Sequence, residues 1–210
     1  MHRLTLLPLL FAAFATPAQE AGDGLSASLA EAREEVRREL AGARTELEIG
    51  NLQLGESLGF GAPVPEAGAA GLSRAEITPA GDFLVDGQPV PVDPQQRRQL
   101  LEYRGQVIAI AVAGMDIGEQ AAEVALASVD RGLLSLLAGA MTGRFERQLQ
   151  RTLRTTIEPG IVQLCAGLPA LLSSQQALAA SLPAFKPWAT LREDEVHACE
   201  SDLRREFAGL

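Results

Sequence analysis

The chain is predicted to be mainly α, a helical domain with one small β-hairpin at about residues 76–92 and an N-terminal signal peptide. Three observations predict this. Its apolar content, 47 % of 210 residues, is rich in Ala and Leu with only 4 % aromatics, a helical composition. Apolar residues recur at helical spacing over several long stretches. An Asp-Gly pair, Asp86-Gly87, lies between two alternating segments, a strong short-range sign of a hairpin.

Residues 1–18 carry the order of a secretory signal. Arg3 supplies the positive start, Leu4 to Phe14 an apolar run, and Ala15 or Ala18 a small-residue cleavage site, the second leaving Gln19-Glu20 as the mature start. That run is about 11 residues where a membrane span needs roughly 20, so no transmembrane segment is expected after cleavage. No cysteine follows the cleavage site to carry a lipid. The expected location is the periplasm of a Gram-negative bacterium. Removing Arg3 from 18 basic and 27 acidic residues leaves 17 against 27, an acidic surface that disfavours nucleic acid as partner.

Residues 25–48 are expected to form an amphipathic helix. Leu25, Leu29, Ala32, Val36, Leu40, Ala43 and Leu47 make one narrow apolar seam, flanked by dense charge. The seam suits docking on the body of the protein or on a partner helix. Residues 49–74, rich in Gly, Pro and Ala towards their end, are expected to be a flexible linker to a helical domain over 75–210.

A two-residue type I′ turn at Asp86-Gly87 pairs Val85 with Gln88, Phe83 with Val90 and Gly81 with Val92. In that register residues 89 and 91, both proline, face away from the partner strand, where no donor is needed. Phe83, Val85, Val90 and Val92 then share the buried face, and the proline side is a protected edge.

Asp93-Pro94-Gln95-Gln96 reads as a capping box opening a helix that Gly114 ends or bends. Further helices are expected over about 116–138 and 142–157. A fourth begins near Pro159 and is kinked or split at Pro169. Pro183, Pro187 and Trp188 belong to a loop, and Thr190-Leu191-Arg192-Glu193 is a second capping box opening the terminal helix.

The run from Ile77 through Thr78-Pro79-Ala80-Gly81-Asp82-Phe83-Leu84-Val85-Asp86 to Gly87, with Gln96-Arg97 and Tyr103-Arg104, resembles the YggN-like family of exported proteobacterial proteins of unknown function. The resemblance covers mainly residues 75–130. It implies a periplasmic, largely helical protein and brings no catalytic residues.

Two cysteines, Cys165 and Cys199, are expected to pair if the protein is exported, with free thiols or a metal site as alternatives. Catalytic patterns are lacking: no Gly-x-Ser-x-Gly, P-loop, Gly-x-Gly-x-x-Gly or His-Glu-x-x-His occurs. His197 stands among Glu193, Asp194, Glu195, Glu200 and Asp202, a solvated acidic face more readily than a metal site. Asp82, Asp86, Gly87 and Asp93 fall at calcium-loop positions, but Leu84 occupies a ligand position and the prolines oppose that loop. Gly114 and Gly118 have the spacing of a close helix contact.

Asp116, Glu119, Glu123 and Asp130 line one helix face, and Arg144, Arg147, Arg151 and Arg154 another. Folding back near residue 140 points Arg151 at Asp130 and Arg154 at Glu123. Alternatively the Arg face is a candidate contact for anionic lipid or an envelope polymer. The expected function is a non-catalytic envelope interaction or structural protein, with an envelope protein or anionic lipid as partner and no cofactor or metal. The seam Leu25, Leu29, Val36, Leu40 and Leu47 is the other candidate contact. Two alternatives stand beside it: a carrier of an apolar or lipid-like ligand between Ala- and Gly-rich helices, and a hydrolase or metal-dependent enzyme.

Overall fold

The protein was analysed as a computed structural model that describes residues 18–55, 73–136 and 144–208. Within these, the side chains of 18–26, 128–136, 144–150, 153, 200, 203, 204 and 206–208 are not described. The expected signal peptide lies outside the described residues except for Ala18.

The chain is mainly α with one small antiparallel sheet. Helix α1 spans Ala18–Ile49 and is followed by strands β1 (Leu52–Leu54), β2 (Ala75–Ile77), β3 (Phe83–Val85) and β4 (Gln88–Val90). Helices α2 (Pro94–Leu136), α3 (Arg144–Ser181) and α4 (Glu193–Ala208) complete it, with a 3-10 turn at Pro183–Trp188 between the last two.

The Asp86-Gly87 turn has φ of 50° and 74° at its two central residues, as a type I′ turn needs. Val85 pairs with Gln88 and Phe83 with Val90, so Pro89 falls opposite Leu84 at a position requiring no donor. The expected Gly81–Val92 pair does not form. Gly81, at φ 80°, belongs instead to the turn between β2 and β3, where its N–H donates to the Thr78 carbonyl at 3.0 Å.

The sheet is larger than the hairpin, in the order β1-β2-β3-β4. Ile77 lies opposite Phe83 on one side and Leu52 on the other. β1 therefore sits within the segment expected to be linker, while residues 56–72 of that segment lie outside the described residues. Period-two alternation sends Leu52, Ala75, Ile77 and Phe83 into the core. Gln53 and Glu76 face out, tied by Arg74 and Asn51.

α2 opens as expected. The Asp93 carboxylate accepts from the N–H groups of Gln95 and Gln96, and Gln96 Oε1 accepts from the Asp93 N–H at 2.9 Å. It then runs unbroken through Gly114, and α3 runs through both Pro159 and Pro169. Each proline removes one backbone hydrogen bond, but α3 is held along its length. Gly160 and Gly167 lie against Ile117 and Ile110 of α2, and Ser174 bonds Gln106. α1 and α3 both pack antiparallel to α2, with residues near 37, 44 and 48 opposite 123, 116 and 104.

The 3-10 turn, expected as a plain loop, carries two core residues. Phe185 and Trp188 meet Phe83 edge-on at 6.0 and 5.6 Å between ring centroids, and Tyr103 meets Phe185 at 5.2 Å. This aromatic cluster joins the sheet to the base of the α2–α3 hairpin. α4 starts two residues later than the expected box: Glu195 reaches back to the Arg192 N–H at 2.9 Å, making Arg192 the cap.

Candidate functional site

Residues of the Ile77–Gly87 segment tie the sheet to α2. Thr78 Oγ1 accepts from the Asp82 N–H, and Arg97 on α2 donates to the Asp82 carboxylate at 2.6 Å and to the Ala80 carbonyl at 3.0 Å. The Arg97 bond, opposed by partial desolvation, holds the Asp82 carboxyl below its ordinary range. Asn51 does the same for Glu76 across β1 and β2. Gly81 leaves no room for a side chain, since a Cβ there would lie 2.9 Å from Arg97 Cγ and Leu101 Cγ. Tyr103 is buried, and burial pushes its phenol up to about 12.

Arg104 closes α1. Its Nη2 donates to the carbonyl oxygens of Leu47, Glu48 and Gly50 at 2.9, 2.8 and 2.8 Å. These are the carbonyls that a helix C-terminus leaves without partners, and the cation sits at the negative end of the helix dipole. Arg104 is itself buried, so the link is shielded from water.

α1 lies on α2 of the same chain. Val36 lies with Arg33 and Arg37 across Glu119, Ala122, Glu123 and Leu126, and Leu29, Leu40 and Leu47 of the seam are half-buried. The side chain of Leu25 is outside the described residues. Arg37 pairs with Glu123 and Glu119, and Arg44 with Asp116 and Glu119. Sequence reading aimed Arg154 at Glu123. Instead the acidic stripe of α2 faces α1, and Arg37 takes Glu123. The side chains of Asp130, Arg144 and Arg147 lie outside the described residues, while Arg151 is exposed and Arg154 half-buried.

Of the two glycines whose spacing suggested a close helix contact, Gly118 does not make it. A Cβ on Gly118 would meet nothing within 4 Å, whereas one on Gly160 would lie 2.8 Å from Ile117 Cγ1. Gly160 lets α3 lie directly against Ile117 of α2.

Cys165 and Cys199 form a disulfide between α3 and α4, with Cα atoms 5.8 Å apart. Nearby, the buried Gln175 amide donates to the Leu191 carbonyl and accepts from its N–H at 2.8 and 3.0 Å. His197 lies 3.9 Å from Glu193, both largely exposed. Among the described residues no group of three or more His, Cys, Asp or Glu side chains is placed to hold a metal.

Arg154–Ser181 is long and apolar enough, by length and composition, to cross a membrane, with mean hydropathy 1.2. In the fold it packs against α2 and is bridged covalently to acidic α4. The disulfide and this apolar helix are compatible with an exported protein.

Sequence reading missed a polar groove between α2 and α3, of about 240 Å³, lined by Gln99, Glu102, Gln106, Ala170, Ser173, Ser174 and Ala177. Ser181 Oγ donates to Gln99 Oε1 at 2.6 Å, and Ser174 Oγ to Gln106 Oε1. A signal existed: Gln99 and Gln106 are two turns apart, as are Ser174 and Ser181, so one antiparallel contact repeats in the other.

Comparison with protein-family models, with curated proteins and with solved structures finds no match.

Proposed function

We propose that this is an exported periplasmic protein that binds another component of the cell envelope and performs no catalysis. The observation that supports this most is the outer face of α3. From Pro159 to Phe185 the sequence carries no charged residue, and only 22 % of the most apolar window of that helix is buried. Val162 on this face is 55 % exposed. An uncharged helix face left open beside charged neighbours is the composition of a contact surface.

Arg151 and Arg154 lie one to two turns before this face and add a basic edge suited to an anionic lipid or polymer. The α1 seam contributes less, because it is already laid on α2. The signal order of residues 1–18 and the YggN-like resemblance support the same location. Crosslinking in intact cells followed by mass spectrometry tests the reading. An adduct with an envelope component is expected, and a protein recovered from the cytoplasm with Met1 retained contradicts it.

A further inference from the structure

We propose that the groove between α2 and α3 binds a short, neutral, hydroxyl-rich oligosaccharide. This rests on the reading that α3 presents the binding face, and it names a ligand class for one part of that face.

The groove exists because Ala170, Ser173 and Ala177 are too small to fill the furrow between the two helices. Its polar groups are held in place by the protein before any ligand arrives. Ser174 and Ser181 each donate to the Oε1 of a glutamine, Gln106 and Gln99 respectively. Each amide Nε2 therefore points away from its serine, ready to donate to a ligand. Glu102, between them on the same helix face, supplies a carboxylate acceptor, and Ser173 supplies a hydroxyl that does both.

This set selects against other ligand classes. An anion would meet Glu102 with no basic side chain among the lining residues. An apolar ligand would strip water from two amides and a carboxylate and return no hydrogen bonds. A cation would use Glu102 and leave both amide donors unanswered. A polyol offers acceptors to the amides, donors to Glu102, and C–H faces to the methyls of Ala170 and Ala177. Gln99 and Gln106 are separated by about 10.5 Å along the helix, the span of about two sugar rings.

The test is nuclear magnetic resonance titration of the labelled chain with maltotriose and with tri-N-acetylchitotriose, reading the side-chain amide signals of Gln99 and Gln106. Saturable shifts are expected with at least one sugar, at a dissociation constant on the order of 1 mM. Ala177→Leu, which fills the furrow without touching either Gln–Ser bond, should weaken binding about tenfold or more, a difference of about 1.4 kcal/mol. Ala170→Leu serves the same purpose if that variant folds poorly. No saturable shift up to about 20 mM overturns the proposal, as does an unchanged response in the filled variant. So does saturation by spermine or inorganic phosphate in place of the sugars. Crosslinks from Val162 in cells alongside such a failure would leave the envelope-binding reading standing and remove the oligosaccharide.

Discussion

Arg104 donates to the Glu48 carbonyl oxygen at 2.8 Å, and this bond fastens the end of α1 to the first third of α2. The same nitrogen reaches Leu47 and Gly50, so one buried cation serves a whole helix terminus. Hydrogen bonds from a charged donor contribute about 1.5–3 kcal/mol. Arg104→Met should lower stability by about that much, read as a shift in the urea midpoint. Arg104→Lys should recover only part, because its ammonium sits one bond nearer the backbone than Nη2 and falls short of the three carbonyls. An unchanged midpoint in Arg104→Met would show that the cap contributes nothing.

The ion pairs further along α1 differ in kind. Arg37 and Glu123 are each about half exposed, so salt screens them and each pair is worth little alone. Raising the salt concentration should speed hydrogen exchange in the Ser28–Leu40 part of α1 while the Leu47–Gly50 end, held by Arg104, stays protected. Uniform exchange along α1 at all salt concentrations would contradict this division.

Gly87 sits at φ 74° with open space where a side chain would go, so substitution there costs only backbone strain. Gly87→Val should destabilise by about 1 kcal/mol or more, and Gln88→Thr should be close to neutral. Gly81 combines positive φ with contact against α2, so Gly81→Ala should cost more than Gly87→Ala. Melting temperatures of the four variants give the order directly.

How far these features were legible depends on how local their causes are. The hairpin turn and its two inner pairs follow from neighbouring residues, Asp86, Gly87 and Pro89, and the structure has them, while the outer Gly81–Val92 pair does not form. β1 has no such signal: Leu52–Leu54 becomes a strand only by pairing with β2, distant in sequence. Gly114, Pro159 and Pro169 are local breakers, but contact along α2 and α3 overrides them. The acidic stripe on α2 was evident, yet a stripe does not say which helix will cover it. Arg104 was visible as part of a motif, but its three carbonyl partners come from a helix more than 50 residues earlier.

The chain has one tyrosine, so its ionisation can be followed by ultraviolet absorbance. Burial favours the neutral phenol of Tyr103, and its midpoint in the folded protein should lie at about 12. An unfolded tyrosine titrates at about 10, so stability should fall as pH rises from about 10 towards about 12. A midpoint near 10 with the fold intact would contradict the burial.

At the acid end the sign is reversed. Asp82 and Glu76 have lowered pKa values, so their bonds to Arg97 and Asn51 add stability above the unfolded carboxylate range, about 4, and lose it as pH falls below. Asp82→Asn should flatten the acid limb of the stability curve, and an identical limb would count against the Asp82–Arg97 link.

Reducing Cys165–Cys199, whose residues are 34 apart in sequence, should cost about 3–4 kcal/mol in the chain-entropy model. The Cys165→Ser, Cys199→Ser double variant should melt correspondingly lower. Alkylation of the unreduced native protein should label neither cysteine.

The central claim is that the open face of α3 contacts an envelope component. A photo-crosslinking residue at Val162, compared with one at exposed Glu35 on α1, tests it in intact cells of the native host. The account predicts a discrete adduct with an envelope component from position 162 that position 35 does not give. No adduct from position 162 in protein recovered from the periplasm, or the same products from both positions, would contradict it.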